Sequence, residues 1–248
     1  MFIEKYVKMK NYFTIVSKII QYNLKIIFAG KFFWFLITAF VFFAFFMFRV
    51  AWDRSEINEG TIYDLLLFPC LLLIFYPVVF GIQNDEDNRI LEIIFGIPNY
   101  RYKVWGVRML MVYFANYFIL VIFSYVARLM LFPINSFEMA AQLIFPMLFF
   151  GNLAFMFSTI TRSGNGTAVL MIILGLVFFI FMSSTSQDGQ GIGNSFWNVF
   201  INPFSIPTNL HPIVWQDTML KSRIFLIVTG IVWLMVGLLN LQKREKFV

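Results

Sequence analysis

Residues able to do covalent chemistry are few in this chain. The single histidine, His211, stands directly before Pro212, and no GxSxG or HExxH segment supplies a nucleophile or a metal pair. A nucleophile must lie within hydrogen-bond reach of a base, and a lone loop histidine is more often solvated than catalytic. The single cysteine, Cys70, lies in an apolar run, so neither an intrachain disulfide nor a CxxC metal site can form. No GxxxxGKS or GxxxxGKT phosphate loop occurs. What remains is the triplet Asp85-Glu86-Asp87. Three carboxylates could hold a metal, but a triplet opening a helix is better explained by capping and the helix dipole, about 0.3–1 kcal/mol each.

The triplet begins the only long polar stretch between two apolar runs, Asn84 to Arg108, NDEDNRILEIIFGIPNYRYKVWGVR. Within it Ile90, Ile93, Ile94 and Ile97 share one helical face, while Arg89, Glu92 and Gly96 turn the other way. Pro98 stops this short amphipathic helix, and Arg101 and Lys103 follow. Such a helix would lie along a membrane surface or in a groove of a partner protein.

The elements that must hold this stretch are membrane spans. Of 248 residues, 60% are hydrophobic, 20% aromatic and 13% charged, about half the usual charged fraction. A span needs roughly 20 apolar residues to cross about 30 Å of hydrocarbon. The expected fold is an all-α integral membrane protein with six spans: 31–48, 63–83, 105–131, 137–160, 167–182 and 222–241. Before them, residues 5–28 read as an amphipathic interfacial helix. Its polar stripe is Asn11, Thr14, Lys18, Gln21 and Lys25, with Phe13, Val16, Ile20, Leu24 and Ile27 opposite. Residues 1–30 thus form the interfacial segment and 31–248 the spanning domain. Pro69 and Pro77 should bend the second span, through packing or along a pathway. A second long loop covers Ser183–Leu220, and Pro133 with Asn135 makes a tight turn between spans three and four.

Fourteen of the 19 Lys and Arg residues fall on one side of this topology and five on the other. Positive residues favour the cytoplasm. Both termini, the Asn84–Arg108 loop and Arg162 are therefore expected inside, and Asp188 outside, of a plasma or bacterial inner membrane. The net charge of +6 suits this bias and anionic lipid rather than nucleic acid. The span centres lack Asp, Glu, Lys and Arg, which argues against an ion-coupled pump or a channel with charged rings. Asn116, Asn152 and Ser124 are read as helix-to-helix glue. Arg128 is expected to pair with Glu138 across the third-to-fourth turn.

The order of elements resembles the type-2 ABC exporter permeases. The matching positions are Glu86 or Asp87, Glu92, Pro98, Arg101 and Arg108. Similar too are LFFGNLAFMFSTITRSGNGTA (Leu148–Ala168) and INPFSIPTNL (Ile201–Leu210), the latter holding the Asn202-Pro203 pair. At Asn88-Arg89-Ile90 the sequence departs from the small Gly-Thr pair common in the family. The resemblance implies two permease subunits, identical or related, and two ATPase subunits in separate chains that carry the ATP and Mg2+. It implies no cofactor in this chain. The 84–108 loop would be the coupling helix on the ATPase, with Asp85, Glu86, Asp87, Arg89, Glu92, Pro98 and Arg101 as its contact set. The second and fifth spans would face the partner permease, and the 183–220 loop would dip back as a re-entrant hairpin. The cargo would be hydrophobic or amphipathic: a peptide, drug or lipid-linked molecule. The alternative is a non-transporting membrane anchor or sensor for a cytoplasmic ATPase; an intramembrane enzyme would have to rely on His211.

Overall fold

The computed structural model describes residues 31–52, 57–87, 100–184, 196–206 and 211–242, together with 18, 21, 89, 90, 94 and 96. The described residues are helical throughout, with no strand among them. In chain order the helices are α1 (Phe32–Trp52), α2 (Glu59–Val79), α3 (Gly81–Asp87), α4 (Val107–Met130), α5 (Ser136–Thr161), α6 (Gly164–Ser184) and α7 (Pro212–Asn240). A π-helical segment, Arg101–Gly106, runs straight into α4. Five of these helical stretches are long and apolar enough to cross a membrane: Phe32–Trp52, Glu59–Asp87, Arg101–Met130, Ser136–Thr161 and Pro212–Asn240. The shorter apolar stretch Gly164–Ile180 lies in α6. This is the architecture of a multi-pass membrane protein.

Helix starts follow local chemistry. Asn58 caps α2 by accepting the Thr61 N–H at 2.8 Å, and Asn135 caps α5 by accepting the Glu138 N–H at 3.5 Å. His211 caps α7 through Nδ1, 3.4 Å from the Ile213 nitrogen, and Pro212 fits the first helical turn. The second long loop is therefore shorter than expected. Residues 183–184 complete α6, and α7 begins ten residues before the apolar run at 222. A helix can extend past the apolar slab, so hydropathy marks the slab and not the helix end.

The core forms around α5, whose long face from Met139 to Thr159 is buried against α2, α4 and α7. The most extensive pairing is α5 with α7. There Gly237 approaches so closely that an added Cβ would lie 2.8 Å from the Phe155 ring. Asn240 Nδ2 donates to the Thr159 carbonyl at 2.6 Å at the same end. By contrast α1 and α6 present large exposed apolar side chains, among them Phe33, Trp34, Phe45, Ile172, Val177 and Phe179. Faces of that size are unusual in water and ordinary in lipid. Of the expected interfacial helix, only Lys18 and Gln21 are described, both helical and exposed; the rest lies outside the described residues.

Candidate functional site

Pro77 has no N–H to give the Leu73 carbonyl and its ring crowds that turn. The chain leaves α2 three residues later at Phe80 and restarts as α3 at Gly81. This break decides where the acidic triplet lies. Asp85, Glu86 and Asp87 occupy the last turn of α3, so they close a helix rather than open one. That corrects the capping expectation, because carboxylates at a C-terminus oppose the helix dipole. The structure compensates one of them. Asp85 is 3% exposed, and its Oδ2 receives a hydrogen bond from the Arg108 guanidinium at 2.6 Å. Arg108 also lies over the Trp105 ring, 5.1 Å from its centroid. Glu86 and Asp87 point outward.

The break is bolted to its neighbours. Ser158 on α5 donates to the Val79 carbonyl at 3.0 Å, satisfying an end carbonyl of α2. Gln83 Oε1 accepts the Gly164 N–H at 2.6 Å and so caps α6 from another helix. The Tyr76 hydroxyl accepts the Lys31 N–H at 3.2 Å and the Asn84 amide at 3.3 Å. After α3, Arg89 adopts φ 56° and its N–H bonds the Glu86 carbonyl at 2.9 Å, turning the chain. Ile90 and Ile94, one turn apart, are helical, with Ile94 buried and Ile90 packed on the core. Their face is thus covered by this chain's own bundle. Glu92 and Pro98 lie outside the described residues, as do Ile93 and Ile97.

The exit of the stretch is fastened as well. The Tyr100 hydroxyl donates to the Leu241 carbonyl, and Arg101 donates to Gln242 Oε1 at 3.3 Å. The π-helical turn that follows closes its backbone hydrogen bonds one residue further along than an α-turn and buries Trp105 to 2% exposure. One end of the bundle therefore gathers Lys31, Gln83, Asp85, Arg108, Gly164 and Gln242. These come from the segments that charge counting groups on one side.

No family model, curated protein or solved structure matches this chain.

At the opposite end, Asn202 Nδ2 donates to the Gly60 carbonyl at 2.9 Å, while its Oδ1 accepts the Phe204 N–H at 3.0 Å. Gly60 gives these side chains room, since a Cβ would lie 3.1 Å from the Ser205 hydroxyl and press it aside by a few tenths of an ångström. Pro203 turns the chain between these contacts. The aromatic segment around them packs inward. Phe200 stacks on Phe150 at 5.4 Å, Trp197 meets Phe225 edge-on at 5.0 Å, and Phe204 lies 6.0 Å from Tyr63.

Arg128 and Glu138 do not pair. The ion pairs among the described residues are Asp85–Arg108 and Asp217–Lys221, and Glu138 instead accepts from Asn135 Nδ2 at 3.4 Å. The Asn135 cap holds that carboxylate on its own helix.

Inside the bundle, Tyr113 on α4 donates to Asn152 on α5 at 2.6 Å, the glue role read from sequence. Cys70 Sγ donates weakly to the Leu143 carbonyl at 3.5 Å. Among the described residues no group of His, Cys, Asp and Glu has metal-binding spacing. Sequence reasoning missed Arg223. It is 9% exposed, its guanidinium lies over Phe145 at 4.9 Å, and its polar neighbour is the buried Tyr63 hydroxyl, with no carboxylate counter-ion among the described residues.

Proposed function

We propose that this chain is the permease subunit of an ATP-binding cassette exporter, with six spans, both termini in the cytoplasm and 84–108 as the coupling segment. The observation that carries the reading is the fastening of that segment. Its start is locked to its exit by Asp85–Arg108, its exit to the end of α7 by Tyr100 and Arg101, and its leading helix to α6 by Gln83. A push on the stretch moves α2, α4, α6 and α7 together, which a plain connector has no need to do.

With Asp85 turned inward, Glu86, Asp87 and Arg89, and Lys103 at the exit, are the described charges of the stretch presented outward. They are the proposed contacts to an ATPase that holds the ATP and Mg2+. The cargo is hydrophobic or amphipathic, in keeping with the scarcity of charge along the spans, and a second permease subunit completes the path.

The test is co-purification with a Walker-type ATPase encoded beside this chain, followed by ATP-driven export of labelled cargo from reconstituted vesicles. Glu86→Lys with Asp87→Lys should abolish ATPase capture and export. Unchanged capture and export would remove the coupling role. Capture with no export of any cargo would favour the anchor reading.

A further inference from the structure

Beside the tight turn between α4 and α5 is a cleft of about 350 Å3, lined by Ile122, Tyr125, Arg128, Ser136 and Phe137 among others. Its chemistry is divided. Ile122, Tyr125 and Phe137 form an apolar wall, and Arg128 and Ser136 sit where α4 ends and α5 begins.

The polar side is short of acceptors. Arg128 has no hydrogen-bond or ion-pair partner among the described residues. Ser136 is 5% exposed, and its hydroxyl is buried with no partner. A buried hydroxyl left unmatched costs about 1–3 kcal/mol, so a site that keeps one in its wall gains from a polar occupant. The N–H groups of Ser136 and Phe137 open α5 and have no acceptor within the helix. They add the positive end of its dipole. The carboxylate of that first turn, Glu138, is not part of the cleft's lining and is held by Asn135 Nδ2 at 3.4 Å. The result is a set of donors around a single cation.

The apolar side continues down α4. Phe114, Phe118, Ile122, Tyr125 and Leu129 are all exposed, and their spacing of three and four puts them on one helix face. The stripe leads directly into the cleft, which contains Ile122 and Tyr125.

We propose that this cleft binds the phosphate of an anionic phospholipid, with Arg128 on the phosphate oxygens and the Ser136 hydroxyl, sealed in the wall of the cleft, turning about its Cα–Cβ bond to join it. An acyl chain lies along the Phe114–Phe118–Ile122 stripe. The proposal needs the bundle to sit in a bilayer and is independent of the exporter reading.

Native mass spectrometry of the purified full-length chain tests it, titrating phosphatidylglycerol and phosphatidylcholine of matched acyl chains. Phosphatidylglycerol should bind first and more tightly. Arg128→Gln should weaken that binding about tenfold, the worth of one charge-assisted hydrogen bond, while Arg128→Lys keeps most of it. Because Arg128 is exposed, its replacement leaves the thermal midpoint unchanged, and Ile122→Trp blocks the cleft from the other wall. Equal binding of the two lipids, or wild-type affinity in both Arg128→Gln and Ile122→Trp, overturns the proposal. So does displacement of phosphatidylglycerol by an equal concentration of inorganic phosphate, which would make this a site for the free anion.

Discussion

The Asp85 carboxylate and the Arg108 guanidinium meet at 2.6 Å across 23 residues of sequence. The pair is nearly sealed from solvent, with side chains 4% and 10% exposed. Breaking such a pair from one side leaves a buried charge with no counterpart, and Arg108→Met should destabilise the fold by about 3–5 kcal/mol. Asp85→Leu combined with Arg108→Met should recover most of that loss. A double-mutant cycle on thermal unfolding in detergent measures the coupling; simple additivity of the two losses would show that the ion pair is not the cause.

Gly164 lets the start of α6 sit directly on the α2–α3 break. A Cβ there would collide with the Phe80 ring and stand 2.6 Å from Gln83 Oε1. Gly164→Ala should therefore cost about 1–3 kcal/mol through overpacking, and Phe80→Leu in the same chain should relieve part of it. The readout is the shift in unfolding midpoint of the single and double variants.

Asn202 supplies the hydrogen bond that ties the aromatic segment to the first turn of α2. Asn202→Ala removes both its bond to Gly60 and its own local turn, a loss of about 1–3 kcal/mol. Hydrogen exchange should rise across residues 196–206 and stay unchanged near Arg108. A uniform rise through the bundle would mean that Asn202 supports the whole fold instead.

Arg223 is the reverse case, a buried cation with a ring contact and the neutral Tyr63 hydroxyl beside it but no counter-ion among the described residues. An apolar side chain of similar length removes an uncompensated charge, so Arg223→Met should raise stability by about 1–4 kcal/mol. A lowered unfolding midpoint would instead reveal an acceptor that Arg223 meets in the membrane.

The spans were legible because each is a run of apolar residues, a property of local composition. Orientation around each helix was not. In a bilayer the lipid face and the core face are both apolar, so periodicity loses the contrast that marks a face in water. Arg128 and Arg223 look alike in sequence, each a cation at the edge of an apolar run. Helix rotation exposes the first and buries the second. The same reason hid which acid of the triplet turns inward. Asp85 is selected by the break at Phe80 and by the π-helical turn that brings Arg108 round, and both are three-dimensional facts. The proline that causes the break was visible, but its effect on register was not. Caps fared better: Asn135 was recognisable as a turn residue, since its chemistry acts within three residues of itself.

The pairing of α5 with α7 bears on how the chain is made. The helix with the longest buried face, α5, finds its largest neighbour in α7, a helix synthesised some fifty residues after it. Until residues 212–240 emerge, the Phe155 face and the Thr159 carbonyl await Gly237 and Asn240. A polypeptide halted before that point has its inner helix uncovered and its polar stretch without the anchor at Leu241. Completion of α7 is then the step at which the inner helix of a nascent chain gains its cover.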